Sequence, residues 1–367
     1  PLLNYDQNIE WKRAREGRLY DGNFVQTSHG SLTTWLLLQY EEAVINQKIG
    51  DDFIFRFRYK SYDNRHLSYN EKVTTVGLGY NLNENFTLIA DTDLSDLKEE
   101  VDIKPGILYT FQTVYAYFGV SFDDFIFDLK NMGDGKNSNL PLTLSTDIRF
   151  SFSRLYFFIS GNYGTGFERT WDPGPYTDKL YHKQQKKNFY GRIEYDINDR
   201  LKPYAEFFYD DFFEAKDLKD TTLDTSQYSF SAKVSNAKIG ALWALNKKSR
   251  IDAGAAYAIL DHKMDVTEGT RQSYTIKYPA LLPYIIYKYD IHTKFTGEIS
   301  YMGSYTVNED EDNYYYAVKD EHYWDKELIK LGFEYRFSPN ASLYISAGQL
   351  INTGVFGGGN ARFNLVF

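Results

Sequence analysis

The stretch Phe53-Ile54-Phe55-Arg56-Phe57-Arg58-Tyr59-Lys60 changes character at nearly every step. Successive side chains of an extended chain point to opposite faces. Phe53, Phe55, Phe57 and Tyr59 therefore share one face, and Ile54, Arg56, Arg58 and Lys60 share the other. A sandwich turns such a charged face outward to water, whereas a closed barrel in lipid turns it inward around a wet lumen. The alternation recurs along the chain. Residues 142–152 set Leu142, Leu144, Ile148, Phe150 and Phe152 against Thr143, Ser145, Asp147, Arg149 and Ser151. Residues 329–337 set Ile329, Leu331, Phe333, Tyr335 and Phe337 against Lys330, Glu334 and Arg336.

Composition narrows the choice. The 367 residues include 33 Tyr and 27 Phe, an aromatic share of 18% that strains a soluble reading. Mean hydropathy is nevertheless polar at -0.51. No apolar run approaches the roughly 20 residues that a spanning helix needs. A transmembrane barrel reconciles these facts, because its lumen face is polar and its aromatic girdles sit at both membrane interfaces. A net charge of -9 argues against nucleic acid as a partner. The absence of cysteine fits an exported chain without disulfides, and many cytosolic chains share it. No export leader is visible in the sequence, which opens on Pro1 and reads as a processed or trimmed form.

The connections alternate in length. Short turns are expected at Asn83-Glu84-Asn85, Ser153-Arg154, Asn198-Asp199-Arg200, Asn246 to Ser249, and Ser338-Pro339-Asn340. These residue types form local side-chain hydrogen bonds or tolerate left-handed backbone. Long polar loops are expected near 61–70, 95–103, 131–140, 164–187, 213–228, 261–273, 304–325 and 350–359. Gly357-Gly358-Gly359 reads as part of the last of these loops. By the asymmetry of membrane barrels, the short turns are periplasmic and the long loops extracellular. The reading is all-β: one closed antiparallel transmembrane β-barrel spanning 1–367, with about 18 strands and a range of roughly 14 to 18. Residues 1–30 alternate poorly and read as a lumenal tail or a first strand.

The last seven residues, Ala361-Arg362-Phe363-Asn364-Leu365-Val366-Phe367, resemble the C-terminal strand of Gram-negative outer-membrane barrels. That strand ends on an aromatic residue, with apolar residues at alternate positions before it. The resemblance implies that Phe363, Leu365 and Phe367 form the signal read by the barrel-assembly machinery. It also implies a place in the outer membrane, among lipid and lipopolysaccharide. The size, the Tyr/Asn/Lys-rich composition and the phrase Phe189-Tyr190-Gly191-Arg192-Ile193-Glu194-Tyr195 are similar to two porin groups. These are the major porins of fusobacteria and the acidic-oligosaccharide (oligogalacturonate-type) porins. What they imply is passive diffusion of small hydrophilic solutes and ions, a preference for anionic solutes or acidic oligosaccharides, and a homotrimer.

The alternation also nominates a channel lining. Its basic members are Arg56, Arg58, Lys60, Arg149, Arg192, Lys202, Lys294, Lys330, Arg336 and Arg362. Its acidic members are Asp91, Asp93, Asp147, Glu194, Asp196, Glu206, Asp252, Glu298 and Glu334. Arg56, Arg58 and Lys60 repel one another, and Asp91 and Asp93 lie two strands away as counter-charges. Two readings stand: charges that solvate the lumen and pair across strands, or a selective constriction of fixed charge. Within the second, an arginine ladder suits acidic sugars or phosphate through bidentate contacts. The segments 164–187 and 304–325 are long enough to fold into a pore.

Catalysis finds no support in the motifs. There is no cysteine nucleophile, no paired-histidine metal motif and no nucleophile elbow. Gly133-Asp134-Gly135-Lys136 lacks phosphate-loop spacing. Asn308 to Asn313 is acidic but lacks the glycine and distal glutamate of a calcium loop. No cofactor, metal or enzyme activity is expected. The alternatives are a surface adhesin anchored by its barrel, with Tyr314-Tyr315-Tyr316 as contact residues, or an outer-membrane enzyme with scattered residues.

Overall fold

The computed structural model describes residues 23–33, 37–64, 69–95, 100–127, 136–137, 141–171, 180–218, 226–268, 273–306, 326–351, 354 and 356–367. Among these, all regular structure is strand. In chain order the strands are β1 (Phe24–Thr33), β2 (Leu37–Ile49), β3 (Phe53–Asn64), β4 (Tyr69–Asn81), β5 (Phe86–Ser95), β6 (Glu100–Phe111) and β7 (Val114–Phe127). They continue with β8 (Lys136–Asn137), β9 (Leu142–Phe152), β10 (Leu155–Gly164), β11 (Phe167–Trp171), β12 (Leu180–Tyr195) and β13 (Leu201–Leu218). The rest are β14 (Ser226–Ala244), β15 (Ser249–Glu268), β16 (Tyr274–His292), β17 (Phe295–Thr306), β18 (Lys326–Ser338), β19 (Ala341–Leu350) and β20 (Phe356–Val366).

Every pairing is antiparallel between neighbours, and β1 closes the ring by pairing with β20, from Phe24↔Val366 to Ser31↔Gly359. The strand β11 resumes the course of β10 along β12, and β8 pairs with β11. The result is a closed antiparallel barrel of 18 strands. Closure leaves no edge strand in the ring, so the backbone groups of the wall find partners within the wall.

Among the described residues the tight turns lie at one end, where the start of β1 also meets the end of β20: Phe367 N donates to Asn23 O at 3.1 Å. Three turns share one device. Asn83 Oδ1 accepts from the backbone N–H groups of Asn85 and Phe86 at 2.9 and 3.0 Å. Asn198 does the same for Arg200 and Leu201 at 2.9 and 3.0 Å, and Asn246 for Lys248 and Ser249 at 2.8 and 3.0 Å. The asparagine side chain replaces a backbone acceptor and fixes the reversal.

The distribution of side chains is inverted relative to a soluble protein. Leu78, Leu88, Phe118, Leu144, Ile285, Leu331 and Ile345 are exposed on the outer face, and Ile239 is 69% exposed. Charged and polar residues such as Arg56, Asp91, Glu206, Lys238, Glu298 and Lys330 are buried on the inner face. Aromatic rings gather on the outer face near the turn end. Phe53 meets Tyr80 at 5.2 Å between centroids, Phe86 meets Tyr109 at 5.0 Å, and Phe295 stacks on Phe333 at 5.7 Å. Such contacts contribute about 0.5–1.5 kcal/mol each beyond their burial.

Several expectations need correction at the other end of the barrel. The strands run further than the sequence suggested: β13 continues to Leu218, β14 begins at Ser226, and β15 continues to Glu268. The segment 164–187 is mostly strand, in β11 and β12. Residues 24–33 form the first strand, and 1–22 lie outside the described residues. Gly357-Gly358-Gly359 belongs to β20 rather than to a loop. Gly358 has φ +107, where the register against β19 shifts, and a Cβ on Gly357 would come within 2.4 Å of Leu328 Cδ1. The glycines thus serve a bulge and a close contact. The acidic run 308–313, the tyrosines 314–316 and the glycines of 133–135 lie outside the described residues.

Candidate functional site

The inner wall is the candidate site, and its charges are organised by the register of the strands. Arg56 stands directly across from Gly77, and Gly77 from Asp91. Because Gly77 has no side chain, Arg56 Nη1 reaches over it to Asp91 Oδ2 at 3.3 Å. Both side chains are buried, at 6% and 7% exposure. A Cβ on Gly77 would fall 1.9 Å from Asp91 Oδ1. Arg58 turns the other way and pairs with Glu42 at 2.7 Å. Asp93 takes Lys104 as its partner and also accepts from Thr75 Oγ1 at 2.5 Å. Lys60 is registered with Glu42 on β2 and Val73 on β4.

A second cluster lies on β12 and β13. Arg192 pairs with both Glu194 and Glu206, and its guanidinium carbon lies 4.3 Å from the centre of the Tyr204 ring. Lys202 bridges Glu194 at 3.5 Å and Asp196 at 3.1 Å. A third centres on Glu298, which receives Lys288 at 3.0 Å, Lys330 at 3.8 Å and the Tyr344 hydroxyl at 2.9 Å. Arg336 pairs with Glu334 at 3.5 Å.

Between the second and third clusters the wall is smoothed by aromatics. Tyr204 and Tyr284 approach from opposite sides, bond to each other through their hydroxyls, and Tyr204 donates to Asp252 Oδ1 at 2.6 Å. Their hydroxyls occupy the space where Cβ atoms of Gly240 and Gly254 would stand. Lys238 Nζ sits 3.9 Å from the centre of the Tyr284 ring. A cation on a ring face is attracted by the ring quadrupole.

Arg149 and Arg362 also lie against rings. Arg149 lies 4.6 Å from the Tyr115 ring centre and 5.5 Å from that of Phe158, and Arg362 lies 5.5 Å from that of Tyr344. Asp147 is half-buried beside Arg149 on β9. Ser145, Asn162 and Asn188 form a hydrogen-bonded row with links of 2.6 and 2.9 Å. Lys294 departs from its expected place: it sits exposed in the turn between β16 and β17 and is no part of the strand wall. Phe363 and Leu365 pair with Leu343 and Ala341 on β19, on the outer face, and Phe367 is exposed at the turn end.

Sequence reasoning missed Glu42, Lys104, Lys238, Lys288 and the tyrosines Tyr115, Tyr204, Tyr284 and Tyr344. Glu42 and Lys104 lie in stretches whose alternation is obscured, the first by flanking acidic and apolar residues, the second by Pro105-Gly106 and the largely apolar and aromatic run that follows up to Phe122. Lys238 does obey the alternation, between Asn236 and Gly240. Among the described residues no group of three or more candidate ligands is arranged for a metal ion.

Comparison with known proteins gives likeness of shape at low identity. No family model matches the chain, and no curated protein sequence matches it. Among solved structures, the alcaligin outer membrane receptor FauA from Bordetella pertussis is 12% identical with a TM-score of 0.44, over 94% of this chain. The chain spans 57% of the length of that receptor structure. The translocator domain of the autotransporter NalP from Neisseria meningitidis is 9% identical with a TM-score of 0.39, covering 99% of this chain and 96% of its own. A loop-deletion mutant of OmpT, an outer membrane protein of Vibrio cholerae, is 10% identical with a TM-score of 0.37, covering 93% and 96%.

Proposed function

We propose that this chain is a porin of the Gram-negative outer membrane, a passive and non-catalytic passage for small polar solutes and ions. The observation that carries the reading is the inversion of the wall. Large apolar side chains stand exposed around the outside while charged groups are gathered inside. Exposed apolar surface on that scale is stable only against an apolar medium, and lipid supplies it. An inner wall of paired charges and hydroxyls replaces part of the hydration shell of a permeating solute. The turn end is then periplasmic and the opposite end faces outward.

The wall carries both signs in contact, so its field is local and transverse. That favours polar over apolar solutes more than it favours one sign of ion. The preference for acidic solutes suggested by the resemblance would rest on the arginines and lysines of this wall, whose forked or multiple donors suit carboxylates. Assembly as a homotrimer belongs to the same reading.

The test is conductance in a planar bilayer. Stepwise openings from folded protein are expected, and their absence from demonstrably folded protein would overturn the channel reading.

A further inference from the structure

The turn end of the barrel is unequally charged around its circumference. On neighbouring turns from β9 to β17 stand Arg154, Arg200, Lys247, Lys248 and Lys294, all exposed. Arg154 leans over the next turn and donates to Ile197 O at 3.3 Å. Among the described residues none of these cations is in an ion pair. Carboxylates at the strand ends are engaged elsewhere: Asp196 takes Lys202 at 3.1 Å, and Asp290 takes Arg250 at 3.5 Å. Within these turns the exposed carboxylate is Asp199. The opposite arc has the other sign. The turns between β2 and β5 carry Asp51, Asp52 and Glu84, with Lys48 beside them at the end of β2. The turn from β6 to β7, Gln112-Thr113, is uncharged.

The cations stand just past an outward girdle. Phe152, Tyr195, Trp243 and Tyr289 are exposed rings that precede these turns, and Ile197, Leu245 and Ile291 carry the apolar outer face into them. Rings in such a place mark the level of lipid headgroups. Lysine and arginine stems lie along an apolar surface while their charged heads reach the polar layer beyond it. Phosphates occupy that layer around the whole barrel. A soluble acidic partner would explain the cations but not their place beside the girdle.

We propose that the turns from β9 to β17 are a contact surface for anionic phospholipid headgroups in the leaflet at the turn end, so that these lipids gather on one side of the barrel. The argument is charge complementarity. Cations without a carboxylate partner meet phosphates whose headgroups bring no positive charge of their own. Asp51, Asp52 and Glu84 repel the same lipids on the other side. This rests on the lipid-facing reading of the exterior and not on conduction.

The chain has no cysteine, so a single introduced thiol can carry a fluorophore. Leu245→Cys places it in the cationic arc and Leu82→Cys in the acidic arc, both at exposed positions. Each labelled barrel is refolded into phosphatidylcholine vesicles, and a heat-shift on gels shows that it is folded. A minor fraction of the lipid has brominated acyl chains and is either phosphatidylglycerol or phosphatidylcholine. Bromine quenches on contact, so comparing the two reports which headgroup is near. Brominated phosphatidylglycerol should quench several-fold more than brominated phosphatidylcholine at Leu245→Cys, and no more at Leu82→Cys. Adding Lys247→Glu and Lys248→Glu, or raising the salt concentration, should remove the difference. These substitutions spare the turn, because Asn246 Oδ1 holds it through backbone N–H groups. No preference at Leu245→Cys, an equal preference at both positions, or a preference that survives the two substitutions would each overturn the proposal. No preference together with binding of the folded barrel to isolated peptidoglycan would assign the arc to the cell wall instead. Quenching by neither lipid at either position, in a folded barrel, would remove the lipid-facing reading on which the proposal rests.

Discussion

Arg56 reaches Asp91 across a strand that contributes only backbone at the crossing, and this makes the pair an unusually exposed test of the wall. Both groups are almost fully covered, so deleting one leaves the other charged and without its partner. Arg56→Ala should therefore destabilise the barrel by about 3–5 kcal/mol, and adding Asp91→Asn should restore much of the loss. Equilibrium unfolding in urea with detergent, run as a double-mutant cycle, reads the coupling. Additive losses from the two changes would show that the pair is solvated and independent. Gly77→Val acts on the same contact by a different route. Its side chain enters the volume held by Asp91, and a loss of about 1–3 kcal/mol is expected from overpacking. The pairing of Arg56 with Asp91 was partly legible, since both residues lie on the polar face of their strands. The glycine that permits it was not, because a glycine in a strand has no side chain to register on either face of an alternating pattern.

At the scale of the strand, the outer face separates into two zones with different chemistry. Near the turn end it is apolar, and Ile239 on β14 is its most prominent member. Ile239→Arg should cost about 2–4 kcal/mol if the position lies near the bilayer midplane, measured by unfolding from lipid vesicles. An unchanged stability would mean that this face is wet. Toward the loop end, the registers bring Lys187 opposite Asp211, Asp211 opposite Lys233, and Lys233 opposite Asp261. Opposite charges placed directly across from one another favour strand pairing. This ladder explains why β12 to β15 outrun the sequence expectation. Read along one strand, its lysines and aspartates resemble a solvated loop, and only pairing between strands shows their alternation. The short turns were legible for the converse reason, since their determinants are local. Asn198→Ala removes the acceptor for two backbone N–H groups, and a loss of about 1 kcal/mol is expected in the same unfolding assay. A loss near zero would show that water replaces the side chain at no cost.

For the whole molecule, closure and charge balance together decide what the wall presents to the lumen. Closure follows from β1 pairing with both β2 and β20, which joins the first and last strands in one ladder. Around the ring thus formed, carboxylates repeatedly lie against cations: Asp91 with Arg56, Glu42 with Arg58, Asp93 with Lys104, Glu194 and Glu206 with Arg192, Glu298 with Lys288 and Lys330, and Glu334 with Arg336. A paired wall presents dipoles rather than a ring of one sign, and dipoles fall off faster with distance than charges. The reversal potential across a tenfold salt gradient should therefore lie well short of the limit for an ideally selective pore. Glu298→Gln tests the cause, because that carboxylate holds two lysines at once. Removing it frees both cations toward the lumen and should shift the reversal potential toward anion selectivity, while Ile239→Arg on the outer face should leave it unchanged. A reversal potential near the ideal limit in the unaltered protein would mean that a ring of one sign governs permeation, and the paired wall would then be only its support.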